Sequence, residues 1–335
     1  MVSAGTQPEG AAMATTTLRY TRDDLLDAAP AAGRAPSMHN SQPWRFRLHD
    51  GAIDVLLDAD RALPAADPHG WGARLACGAA ALNLELALAI AGRPADLTLG
   101  PLPNDPSVLA RLTPAARRPP TPTEQSLYAA IALRHSNRGA LRPDPVPPAE
   151  RLRLRQAAET EGCWLELVVG SVAVEAVAGI ARVADRTLAR DAAYMAELEQ
   201  WRRFSHSPDG VPTDSAAVDP SGSMPQRPFG GPGQPEADNP SAEPLIAVLG
   251  SATDSPAEQV RAGIALQRVL LTATDARLAV SMVSQPIEVP SAREQLRLAL
   301  RRFGVAQMVM RVGYGPPGWP TPRRDPAETV DAAVE

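Results

Sequence analysis

Arg134, His135, Ser136, Asn137 and Arg138 follow one another at the end of an apolar, helix-forming stretch, and bring two guanidinium groups and a hydroxyl within five residues. Spaced four apart, the arginines share one face if helical geometry continues through them. Two guanidinium groups can hold a phosphate through paired N–H donors, with Ser136 as a further donor and one cation left for a second anionic atom. Taken alone, these five residues read more readily as a solvated basic turn. The segment Ala35-Pro36-Ser37-Met38-His39-Asn40-Ser41-Gln42-Pro43-Trp44 bears on that choice. Pro36 and Pro43 forbid a helix through it. What is left is a rigid loop with short donors and acceptors at Ser37, Asn40, Ser41 and Gln42, suited to the polar edge of a flat heterocycle or a ribityl chain. An ordinary capped turn with Trp44 as a core anchor is the plainer alternative.

Together the two segments resemble the nitroreductase family of FMN-binding flavoproteins, whose members carry an Arg-x-Ser-x-Arg/Lys element and a Pro-Ser-x-x-Asn-x-Gln-Pro-Trp loop. Here the loop precedes the arginine element, the reverse of the family order, and with His39 inside the loop the chain looks most like the actinobacterial Acg-type branch. The resemblance runs from about Leu18 to Val330 apart from one insertion. It implies FMN as cofactor and NAD(P)H as reductant. It places Arg134 and Ser136 at the flavin phosphate, with Asn137 in the same element, and Arg138 near the ribityl chain or the N1/O2 edge of the ring. Pro36, Ser37, Met38, His39, Asn40 and Gln42 would bind the flavin from the other half. The run Thr321-Pro322-Arg323-Arg324-Asp325-Pro326 resembles the family's basic tail, so Arg323 and Arg324 join the cofactor-binding set, with Arg324 as a further phosphate contact. Arg311 is a weaker candidate that also reads as the end of a strand.

The resemblance also implies an α+β fold. In the family, two subunits pack together and the flavin lies at their interface. Residues Gly78–Ala91 and Gly263–Asp275 look alike, each led by small residues, rich in leucine and followed by a short strand. An internal duplication, with one chain mimicking the family homodimer, accounts for the reversed motif order. Residues 17–115 would form the first half and 116–330 the second, giving one flavin per chain and a pseudo-dimeric monomer, with further dimerisation open.

No acid/base pair stands out, and flavin chemistry requires none. The five histidines show no metal-ligand spacing, and His39 and His135 are the two that would border the flavin. Two functions fit. One is an FMN-dependent NAD(P)H oxidoreductase that reduces nitroaromatic, quinone or similar flat acceptors by a ping-pong route. The other is a protein that sequesters FMN beneath a closed cover.

The bulk properties set bounds. In 335 residues of net charge −5, every cation is arginine, and no general basic footprint favours nucleic acid. Cys77 and Cys163 lie far apart in apolar surroundings and read as buried thiols. Residues 1–16 lack the charged and apolar regions of a signal peptide and read as a disordered extension. The apolar run Leu75–Ile90 is expected to be too short for a bilayer, so a cytoplasmic protein is the default.

The elements that must carry the motifs follow from periodicity and caps. Helices are expected at 21–32, 72–91, 123–133, 148–159, 172–190, 191–204, 257–275 and 291–303. Strands are expected at 44–48, 53–57, 95–99, 164–169, 245–249, 277–282 and 307–312. Residues 113–122 read as a linker. The stretch 205–244, dense in proline and glycine, reads as a lid or a disordered insertion.

Overall fold

Thr21 and Asp24 start the first helix by satisfying each other's backbone: the Thr21 hydroxyl accepts from the Asp24 N–H, and the Asp24 carboxylate accepts from the Thr21 N–H. In the computed structural model, which describes residues 18–100, 105–203, 207–212, 224–225, 227, 244–316, 318 and 320–331, this helix is α1 (Arg22–Ala32). The expected N-terminal extension lies outside the described residues. Next comes a hairpin of β1 (Trp44–His49) and β2 (Ala52–Leu57), turned at Asp50-Gly51 with positive φ at both, as a two-residue hairpin turn requires. Helix α2 (Trp71–Ile90) and strands β3 (Ala95–Leu99) and β4 (Val108–Pro114) complete the first half. β4 corrects the reading of a linker from Thr113: its buried Val108, Ala110 and Leu112 complete a sheet.

A second capping box, Thr121 with Glu124, starts α3 (Pro122–Leu133). Then follow α4 (Pro148–Thr160), β5 (Trp164–Val168), α5 (Ser171–Leu188) and α6 (Ala192–Gln200). The helix expected to reach residue 204 stops at Gln200, because β6 (Arg202–Arg203) pairs in parallel with β7 (Val211–Pro212). The chain continues through β8 (Leu245–Ser251), α7 (Pro256–Asp275), β9 (Ala279–Val283), α8 (Gln285–Glu288), α9 (Pro290–Leu300), β10 (Val305–Gly313) and α10 (Pro326–Thr329).

Both halves use one topology. The first sheet has the order β1-β2-β4-β3 and the second β5-β8-β10-β9, with every neighbour antiparallel. In each, a helix of 20 residues, α2 or α7, separates the first two strands from the last two. These two helices pack on each other through glycine. A Cβ on Gly78 would lie 2.1 Å from the Val260 carbonyl oxygen, and one on Gly263 would lie 2.1 Å from that of Leu75. Gly78 and Gly263 are each the eighth residue of their helix, and Leu75 and Val260 each the fifth. The contact is therefore self-complementary, as across a two-fold axis. The fourth residues meet as well, Arg74 Nε donating to Gln259 Oε1 at 2.6 Å.

α2 is buried along almost its whole length, as leucines on several faces require. By length and composition it is long enough to cross a membrane, contrary to the expectation above, yet 78% of its apolar window is buried inside this fold. Cys77 and Cys163 are both free and buried.

Two further segments extend the sheets in parallel. Ser136 bridges Val280 of β9, and Val330 bridges Phe46 of β1, where Asp331 also donates its N–H to the Phe46 carbonyl at 2.8 Å. The arginine element and the end of the tail are thereby fixed on the edges of opposite sheets.

Candidate functional site

The pairing of Ser136 with Val280 decides the shape of the arginine element. Helix α3 ends at Leu133, and its cap, Arg134, has extended backbone angles. Residues 134–138 therefore run as strand-like chain, where side chains alternate in direction. The helical face expected for Arg134 and Arg138 does not form. Extended geometry instead turns Arg134, Ser136 and Arg138 to one side, and all three line a single pocket with Pro36, Ser37, Asn40, Thr321 and Arg323. Among the described residues, that lining contains three arginines and three hydroxyls and no carboxylate.

Burial makes this concentration of charge costly. Burial pulls the Arg134 guanidinium down to about 10, and neighbouring Arg34 adds to the effect. Arg138 falls to about 10 through burial and then Arg227, and Arg323 to about 9 through burial, Arg134 and Arg34. Arg134 and Arg323 make their hydrogen bonds to neutral oxygens, Arg134 to the Arg34 carbonyl at 3.1 Å and Arg323 to the Asn40 side chain at 3.0 Å. A buried cation without a counter-ion is strongly disfavoured. A phosphate dianion would relieve the pocket, with planar guanidinium groups and hydroxyls as donors.

The pocket shares Pro36, Ser37, Ser136 and Arg138 with a larger cleft lined from both halves. Its walls are Trp71, Gly72, Leu75 and Ala76 of α2, Leu266 of α7, Met308 of β10, Ser281 and Met282 of β9, and Ser284 and Gln285 beyond it. Pro36 to His39 and Ser136 to Arg138 close one side, and Pro225 and Arg227 another. The Trp71 indole is pinned by its N–H to Gln307 Oε1 at 2.7 Å, and Gln307 in turn donates to Ser251 Oγ at 2.8 Å. A cleft lined by Trp71, leucines and methionines on one hand and by hydroxyl, amide and guanidinium groups on the other suits an aromatic ligand with polar substituents.

The loop over the cleft is strained. Met38–Asn40 form a short 3-10 turn, and His39, Asn40 and Gln42 all have positive φ, at 52°, 56° and 53°. A left-handed conformation costs a non-glycine residue on the order of 1–2 kcal/mol. The surroundings must therefore hold all three. His39 is buried and lines the cleft, where burial and then Arg227 and Arg138 hold its imidazole well below its ordinary value, and so neutral.

No family model matches the chain. A Mycobacterium tuberculosis H37Rv protein named as an NAD(P)H nitroreductase is 34% identical over 309 residues, covering 90% of this chain and 89% of that protein. The chain belongs to the nitroreductase family. The nitroreductase acg, so named in the same organism, is 29% identical over 318 residues, with 93% and 95% of the two chains covered. Among solved structures, a Desulfitobacterium hafniense nitroreductase with bound FMN gives a TM-score of 0.39 at 15% identity, over 63% of this chain and 98% of that one. One from Bacteroides fragilis, also with bound FMN, gives 0.37 at 13%, over 59% and 92%.

In this family member the sequence-derived residues divide into three groups. Pro36, Ser37, Met38, His39, Ser136, Asn137 and Arg138 line the cleft, and Asn40, Arg134 and Arg323 line the arginine pocket. Gln42 and Arg324 line neither. Gln42 is 1% exposed, and its carboxamide is spent on protein: Nε2 donates to the Pro208 carbonyl at 2.7 Å, and Oε1 accepts from the Arg324 N–H at 2.9 Å. The Arg324 guanidinium is turned to Asp58, 3.4 Å away, so the tail presents Arg323 to the pocket and not Arg324. The Asn137 carboxamide is likewise engaged, donating to the Pro316 carbonyl at 2.7 Å and accepting from the Gly139 N–H at 2.9 Å. Arg311 lies within β10, fully buried, and does not end the strand.

Several lining residues carry no signal in the sequence. Trp71, Met282, Ser284 and Gln285 belong to ordinary apolar or helix-start patterns. Arg227 falls in the proline- and glycine-rich insertion, most of which (205–206, 213–223, 226 and 228–243) lies outside the described residues. Arg227 Nε donates to the Tyr194 hydroxyl at 2.9 Å, and Nη2 donates to Ser284 Oγ at 3.0 Å and pairs with Glu288. Among the described residues, no group of three or more His, Cys, Asp or Glu side chains could hold a metal.

Proposed function

We propose that the cleft binds FMN and that the protein is an FMN-dependent NAD(P)H oxidoreductase. The observation that carries this reading is the pocket where Arg134, Arg138 and Arg323 converge with three hydroxyls, its described lining holding no carboxylate, beside a cleft lined by Trp71, leucines and methionines. A phosphomonoester joined through a polyol to a flat ring matches that sequence of surfaces. FMN, when bound, supplies two-electron transfer between a nicotinamide and a second acceptor.

In this reading Arg134, Ser136 and Arg323 hold the phosphate. Arg138, which lines both pocket and cleft, places positive charge where the reduced ring carries negative charge. Trp71, Leu75, Leu266 and the three methionines form the apolar bed of the ring. No side chain is required to move a proton, so flat acceptors such as nitroaromatics and quinones can use the same face as the nicotinamide in turn. The repeated topology supports a duplicated chain that acts as its own dimer, with one flavin site built from the loop of the first half and the arginines of the second.

The alternative, a protein that sequesters FMN, draws on one observation: Pro225 and Arg227 of the insertion line the cleft, and Arg227 is fastened to Tyr194, Ser284 and Glu288. The visible spectrum of the purified protein, recorded before and after anaerobic addition of NADPH, separates the two. A yellow protein that bleaches is an oxidoreductase. One that stays yellow, and bleaches only once Arg227→Met loosens the insertion, is a sequestering protein. A colourless protein that takes up no added FMN defeats both.

A further inference from the structure

Asn40 and Gln42 sit beside the arginine pocket but spend their side chains on two other segments of chain. Asn40 Nδ2 donates to the Gly210 carbonyl and to the Pro322 carbonyl, both at 3.0 Å, while its Oδ1 accepts from Arg323 Nη1 at 3.0 Å. Gln42 Nε2 donates to the Pro208 carbonyl at 2.7 Å, and its Oε1 accepts from the Arg324 N–H at 2.9 Å. Each side chain therefore holds the start of the insertion with its amide nitrogen and the basic tail with its oxygen. Both residues are kept in left-handed backbone geometry while they do so.

Residues 207–212 form a compact foot. The Val211 N–H donates to the Trp201 carbonyl at 2.8 Å, Ser207 Oγ donates to Asp209 at 2.9 Å, and Asp209 pairs with Arg61 at 2.6 Å. Arg61 in turn donates to the Ser41 carbonyl of the same loop. The foot thus meets the loop directly at Asn40 and Gln42 and reaches Ser41 between them through Arg61, and Asn40 and Gln42 also set the tail.

We propose that Asn40 and Gln42 are positioning residues that couple occupancy of the phosphate pocket to docking of residues 207–212. The proposal rests on the reading of the arginine pocket as a phosphate site. An anion that fixes Arg323 fixes the oxygen of Asn40 and so aims its nitrogen at Gly210. A docked foot, conversely, holds Asn40 where Arg323 needs it. Linkage makes the effect reciprocal: whatever factor phosphate adds to docking, docking adds to phosphate affinity. Because the route passes through Arg323, a ligand without phosphate does not engage it.

The test compares FMN, inorganic phosphate and riboflavin on the full chain, reading hydrogen exchange at the Val211 amide together with binding affinity. FMN and phosphate slow the exchange, and riboflavin leaves it unchanged. Asp209→Ala releases the foot without touching the cleft, and weakens FMN and phosphate by about tenfold, the scale of one charged hydrogen bond, with riboflavin unaffected. Asn40→Gly, which keeps the left-handed backbone, abolishes the response of Val211 to either phosphate ligand. Riboflavin slowing exchange as much as FMN does, or Asp209→Ala leaving FMN affinity intact, would overturn the coupling. Wild-type protein that responds to phosphate but binds no flavin would instead overturn the proposed cofactor and leave the coupling standing.

Discussion

Arg227 is ion-paired with Glu288, whose side chain is 1% exposed, at the wall of the cleft. A buried pair is weak grounds for stability in itself, but removing one partner strands the other. Arg227→Met therefore lowers unfolding stability by about 3–5 kcal/mol. The double variant Arg227→Met with Glu288→Gln recovers most of that loss. Urea denaturation of the four proteins of the cycle measures it, and an unchanged midpoint in the single variant would show the pair contributes nothing.

Arg134 and Arg138 should fail differently. Arg134→Ala removes a phosphate donor and weakens FMN about 10- to 100-fold, the effect of one or two charged hydrogen bonds, while riboflavin affinity holds. Arg138→Ala keeps the flavin better but lowers its reduction potential, because a cation beside the ring favours the anionic reduced form. Fluorescence titration reads the first effect and spectroelectrochemistry the second. Equal potentials in wild type and Arg138→Ala would remove Arg138 from that role.

Glu85, on α2, has its carboxyl pushed up to about 7, chiefly by burial. A carboxyl raised on folding binds more protons folded than unfolded between its ordinary value and 7, so its contribution falls as pH rises through that window and is flat above it. Glu85→Gln removes the penalty. It should add on the order of 1–2 kcal/mol at pH 8 and little at pH 4. A stability difference independent of pH would contradict this assignment.

Glycine tests the helix crossing. Gly263→Ala forces a methyl group into the Leu75 carbonyl and destabilises by about 1–3 kcal/mol or more. Gly179, within α5, has only the tip of Arg182 within 4 Å of an added Cβ. Gly179→Ala should therefore stabilise by about 0.5–1 kcal/mol through helix propensity. Thermal melts that moved the same way for both would refute the close approach.

What the sequence made legible was local. Periodicity and caps set the helix starts expected at residues 21 and 123 within a residue of those formed, at Arg22 and Pro122, and the Asp50-Gly51 turn marked the first hairpin. Residue types in the site were also readable, since arginine near serine and a proline-bounded polar loop have few uses. Their partners were not. Arg134 and Arg138 are spaced for a helix, and only pairing of Ser136 with Val280 on a distant strand draws them out straight. Asn40 and Gln42 look like ligand donors until Pro208, Gly210 and the tail are seen to occupy them. Arg227 sits in a stretch with no periodicity, and nothing local points to Glu288, 61 residues further on.

The tail that carries Arg323 is stitched to the first sheet at Val330 and Asp331, so the pocket takes its third arginine from residues made long after its first wall. During synthesis the loop at 36–42 and the arginines at 134 and 138 leave the ribosome well before it. On the proposed reading of this pocket, ligand capture waits for the tail, and a nascent chain released short of residue 323 lacks one of the three arginines that line it.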